Sequence, residues 1–89
     1  MWLAVLLNIV SDASCTSNRT AKRHALLWLF GERYELDCRL VCEQAGLSAP
    51  AARDVVRRAY HAIATHPRHE HNRIWTAAHL ALKRQSEAT

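Results

Sequence analysis

The chain has 89 residues, 49% of them apolar, with 12 Lys and Arg against 8 Asp and Glu, a formal charge of +4. That length predicts one small domain over residues 1–89, with enough apolar side chains for a core but little stability to spare. Few glycines and prolines, no strand-type alternation and plentiful Ala, Leu and Arg argue against a β fold; they predict an all-α, compact bundle of about five helices.

Trp2, Leu3, Leu6, Leu7, Val10 and Ala13 recur at helical spacing, and Val5 and Ile9 widen the stripe. A first helix over residues 2–13 is therefore expected to be buried on more than one side, as a central core helix with apolar surface left for a second copy of the chain. The stretch is too short to span a bilayer, so no membrane partner is expected. It lacks a basic leader, and Asp12-Ala13-Ser14 makes a poor cleavage site, so no signal peptide is read. Cys15, Cys38 and Cys42 form an odd set without a disulfide-framework spacing, which suits a reducing cytoplasm.

Residues 14–18 are loop chemistry. A second helix is predicted over residues 19–30, with Ala21, Ala25, Trp28 and Leu29 inward and Gly31 ending it. Arg19, Lys22, Arg23 and His24 crowd its start, where the helix dipole disfavours cations; an anionic partner would offset that cost. A third helix is expected over residues 38–45, capped by Asp37, with Leu36 and Val41 as a hydrophobic staple. Gly46 stops it, Leu47 plugs the angle behind it, Ser48 caps the next helix and Pro50 sits in that helix's first turn. The fourth helix, over residues 49–64, should bury Ala52, Val55, Val56, Ala59 and Ile63. Arg53, Asp54, Arg57, Arg58 and His61 are expected on its outer side. His66-Pro67 ends it, and a last helix over residues 72–83 turns Ile74, Trp75, Ala78 and Leu82 inward, ahead of a frayed tail over residues 85–89. Trp2, Leu6, Trp28, Val41, Leu47, Val55, Val56 and Trp75 are the predicted large core side chains.

From Ser48 to Arg84 the cations Arg53, Arg57, Arg58, Arg68, Arg73, Lys83 and Arg84 face only Asp54 and Glu70, a balance suited to a polyanion. Catalysis has no constellation here: no glycine-rich phosphate loop, no paired carboxylates and no Ser/His/Asp pattern, so neither an enzyme nor a cofactor is expected. Cys38 and Cys42, with His66, His69 and His71 downstream, have zinc-ligand chemistry. Their spacing is looser than zinc motifs use, and they read better as small core residues, so no metal is expected.

The run Val41-Cys42-Glu43-Gln44-Ala45-Gly46-Leu47-Ser48, followed by Ala52-Arg53-Asp54-Val55-Val56-Arg57-Arg58, resembles the helix-turn-helix of small bacterial and phage regulators. Ala52 departs from the bulkier Val or Ile commoner at that position. More loosely, Trp28-Leu29-Phe30 and the residues after it are similar to short phage and prophage proteins of no known activity. The resemblance implies a transcription regulator binding double-stranded DNA through residues 38–64, as a homodimer. Arg53 and Arg57 would then read bases, Arg58, Arg19, Lys22 and Arg23 would hold the backbone, and Ser48 would also touch the DNA. The alternative is a phage-type protein-binding module or host-factor inhibitor, in which the two helices are only a scaffold.

Overall fold

The computed structural model describes residues 2–87. Its elements are α1 (Trp2–Ser14), α2 (Arg19–Phe30), a 3-10 turn (Glu32–Tyr34), α3 (Glu35–Gln44), α4 (Ala49–Thr65), a second 3-10 turn (Arg68–Glu70) and α5 (His71–Glu87). No strand occurs among the described residues. The all-α bundle of five helices is as the composition predicts. The radius of gyration is 12.4 Å, against about 12 Å for a folded chain of this length.

α1 is the central helix, packed on α2, α3 and α5, and α4 lies on α3 and α5. Leu6, Val10 and Ala13 of α1 meet Leu29 of α2, Cys38 and Cys42 of α3, Val56 of α4, and Trp75 and Leu82 of α5. Alanines fill the gaps: Ala25, Ala45, Ala49, Ala52, Ala59 and Ala78 are all buried. Small side chains at crossings let the helices approach closely, and the largest fully buried residues are leucines, valines and cysteines. Two polar clasps close the bundle. The Tyr60 hydroxyl donates to the Ala13 carbonyl at the end of α1, and the Ser86 hydroxyl donates to the Ala45 carbonyl at the end of α3. The Tyr60 ring also meets Trp75 edge-on, with centroids 5.1 Å apart.

The start of α3 differs from the expectation. It begins at Glu35 rather than residue 38, because the 3-10 turn after Gly31 feeds straight into it. Asp37 therefore lies inside the first turn instead of capping it, where its charge still complements the helix dipole. Leu36 is exposed, so the expected staple with Val41 does not form. Trp2, expected in the core, is 42% exposed. Trp28, Val41 and Val55 are half-buried, while Leu6, Leu47, Val56 and Trp75 are buried as expected. α5 continues through residues 85–87, expected to fray; residues 88 and 89 of that tail lie outside the described residues.

Gly31 ends α2 for a reason other than left-handed backbone. Its N–H donates to the Leu27 carbonyl at 2.7 Å, and a Cβ there would sit 2.4 Å from that same oxygen. The obstacle is backbone, so it cannot swing aside. Gly31→Ala is expected to cost about 1–3 kcal/mol, the range for overpacking; chemical denaturation measures it, and a neutral substitution would contradict the contact.

His79, half-buried on α5, has its Nε2 buried without a hydrogen-bond partner among the described residues. Burial pushes its imidazole below the usual value of 6.5. The unfolded chain therefore takes up the proton first, and stability present above about pH 6.5 falls as pH drops from there towards the depressed folded value. The melting temperature should decline across that window, and His79→Phe should flatten the decline. An unchanged pH profile in the variant would contradict it.

Candidate nucleic-acid interface

The junction between α3 and α4 is built by local rules. Gly46 has φ 84°, the left-handed conformation that glycine adopts without a Cβ clash. Its N–H reaches the Glu43 carbonyl at 3.0 Å, and the Leu47 N–H reaches the Cys42 carbonyl at 2.8 Å. This is the Schellman pattern, with buried Leu47 following the glycine and buried Cys42 at the start of the bond. The Ser48 hydroxyl then accepts from the Ala51 N–H at 3.2 Å, and Pro50 stands in the first turn, where no N–H is needed.

α4 does not present all the side chains assigned to its outer face. Ala49, one turn before Arg53, is 2% exposed. Arg53 turns inward and keeps only 15% of its side chain exposed. Its Nε donates to the Leu29 carbonyl at 2.6 Å, and its guanidinium pairs with Glu35 at 2.7 Å. Arg53 thus joins three helices: it satisfies a carbonyl at the end of α2 and neutralises the first residue of α3. Arg53→Ala leaves that carbonyl and Glu35 without the guanidinium. A cost of about 1.5–3 kcal/mol is expected, as for hydrogen bonds to a charged group. Loss of stability under about 0.5 kcal/mol, the scale of surface substitutions, would contradict this role.

Arg57 is exposed on the outer side of α4, its guanidinium 5.4 Å from the ring centroid of Phe30 at the end of α2. That contact brings Arg57 to the face of α2 that carries Arg19, Lys22 and Arg23. These three line an open groove of about 580 Å³ whose floor is Leu26, Leu27 and Phe30. No carboxylate lines the groove, and none of the four cations has an ion pair among the described residues. The N-cap of α2 is Asn18, whose side chain accepts from the Ala21 N–H at 3.0 Å, so the helix start is satisfied without an acidic residue.

Arg58 points elsewhere. It pairs with Asp54 at 3.0 Å and borders the groove between α4 and α5. With the arginine 82% exposed, that pair is a surface contact of little energetic weight. Ser48 borders a third hollow with Arg39 and Pro50 beside the turn. Of the expected contacts, Arg19, Lys22, Arg23 and Arg57 therefore share one surface; Ser48, Arg58 and Arg53 do not join it. Phe30, which seats Arg57, and Arg39, the cation beside Ser48, escaped sequence reasoning. Phe30 follows the apolar run of α2 and offers no polar signal, and its contact with α4 spans most of the chain's middle.

The cysteines expected in the core are there. Cys38 and Cys42 are fully buried, and the Cys38 thiol faces the Leu29 carbonyl at 3.9 Å. Contact with Cys42 lowers the Cys38 thiol pKa, and the charge of Arg53 adds to this against burial; contact with Cys38 and burial both raise that of Cys42. No group of three or more His, Cys, Asp or Glu with metal-site geometry occurs among the described residues. No described helix is long and apolar enough to cross a membrane.

Compared with known protein families, curated proteins and solved structures, the chain matches none of them.

Proposed function

We propose that this is a small protein that binds double-stranded DNA, with α3 and α4 as its helix-turn-helix. The observation that carries the reading is the unpaired cation array of Arg19, Lys22, Arg23 and Arg57, with no carboxylate among the groove-lining residues. Like charges held together without counter-charges raise the local potential, and a polyanion relieves it. Of the two expected base readers, Arg57 is the one left for the major groove, because Arg53 is held inside. The α2 cations contact phosphates and give affinity without sequence preference. A regulator of the phage or bacterial type, cytoplasmic and dimeric through apolar surface such as exposed Trp2 and Val5, is consistent with this reading. An electrophoretic shift with random duplex at two salt concentrations tests it: binding that weakens steeply with salt supports it.

The second reading is a protein-binding module. It is favoured by the apolar floor of the same groove, where Leu27 and Phe30 are exposed. An apolar protein interface would bind its partner with little salt dependence and ignore duplex DNA.

A further inference from the structure

The end of the bundle opposite the α3–α4 turn carries a further recess. It has a volume of about 280 Å³ and lies where the α1–α2 loop, the end of α4 and the start of α5 come together. Two cationic side chains border it, Lys22 of α2 and Arg68 of the second 3-10 turn, beside the imidazole of His71 of α5. They come from separate parts of the sequence, and no carboxylate lines the recess with them. Neither Lys22 nor Arg68 has an ion pair among the described residues. Lys22 is held in place by the Tyr60 ring, its Nζ 5.7 Å from the centroid. The His71 Nε2 donates to the His66 carbonyl at 3.0 Å, which braces the imidazole at the rim. Thr16 adds a hydroxyl, and Ile63 and Trp75 an apolar wall.

We propose that this recess binds a phosphate monoester. A carboxylate offers two oxygens in one plane and is matched by one arginine fork. Donors offered around the recess by Thr16, Lys22 and Arg68 suit a tetrahedral dianion with three terminal oxygens, and the Ile63–Trp75 wall accommodates the organic part of the ester. The chemistry is shared by a terminal phosphate of a nucleic acid and by a free phosphorylated small molecule. The site stands on its own lining and does not depend on the proposed DNA surface, with whose groove it shares only Lys22.

The test is calorimetry and amide NMR on the full chain with inorganic phosphate and with phenyl phosphate, at constant ionic strength. Saturable binding is expected, tighter for phenyl phosphate, with shifts centred on Thr16, Lys22, Arg68 and His71. Arg68→Ala and Lys22→Ala should each weaken it about tenfold, the effect of losing one charge-assisted contact, while Arg84→Ala leaves it unchanged. Arg68 is exposed and outside the core, so its variant keeps the fold, which circular dichroism checks. Equal affinity in Arg68→Ala, or shifts spread alike over Arg19, Arg23, Arg57 and Arg84, would overturn the proposal. A duplex carrying a 5′-phosphate, compared with its 5′-hydroxyl twin, identifies the source. Displacement of phenyl phosphate by the phosphorylated end alone supports the nucleic-acid end as occupant; retention of phenyl phosphate beside both duplexes supports a free ester. Failure of duplex binding overturns the DNA reading and leaves phenyl phosphate binding intact.

Discussion

Leu47→Ala is expected to lower the unfolding free energy by about 2–5 kcal/mol, the range for truncating a buried leucine. The size of the effect follows from position. Leu47 is buried directly after Gly46, and its own N–H closes the turn on the Cys42 carbonyl. Truncation removes apolar contact with the end of α3 and leaves a cavity between α3 and α4 that neighbouring alanines, Ala45, Ala49 and Ala52, are too short to fill. In a domain with marginal stability, that loss is a large fraction of the total. Urea denaturation measures it. A change under about 1 kcal/mol, within reach of ordinary surface substitutions, would place Leu47 outside the core.

The second large effect concerns DNA. If the proposed DNA reading holds, Arg57→Ala is expected to cost about 1–3 kcal/mol on a preferred duplex and much less on a random one, because of the two expected base readers only Arg57 stays exposed. Lys22→Ala should weaken both duplexes about equally and reduce the salt slope by about one unit. Arg53→Ala separates this account from the expectation drawn from the sequence. With Arg53 turned to Leu29 and Glu35, its loss should appear in stability, and the protein that remains folded should bind DNA as before.

The parts of this molecule that follow local rules were legible in its sequence. α2 spans the predicted residues, because Asn18 and Gly31 bound it with their own chemistry. The turn from Gly46 to Pro50 was readable for the same reason: positive φ, a buried plug and a serine cap are decided within a few residues. Arg53 was misplaced because the buried arc of α4 is broader than the stripe read from Ala52, Val55 and Val56. Ala49 and Val56 lie four before and three after Arg53, and both are buried, so Arg53 lies on the same side. That spacing was present in the sequence, and the charge of arginine hid it. The partner carbonyl was not readable at all, since it lies 24 residues away on another helix. Trp2 was misassigned by treating all of α1's apolar residues alike: Leu6, Val10 and Ala13 face the centre, and Trp2 and Val5 stay exposed on its flank. The site was only half legible. The basic start of α2 is a sequence signal, whereas its union with Arg57 through Phe30 is a product of packing.

The most direct test of the DNA reading is a fluorescence-anisotropy titration of a labelled duplex across a salt series. It compares the wild-type chain with a variant in which Arg19, Lys22, Arg23 and Arg57 are all replaced by alanine. Three phosphate contacts, from Arg19, Lys22 and Arg23, predict a log–log slope of about −2.7 for the wild type. The fourfold variant, folded by circular dichroism, should lose nearly all binding. Wild-type binding with no salt dependence, or a folded variant that binds as the wild type does, would contradict the account.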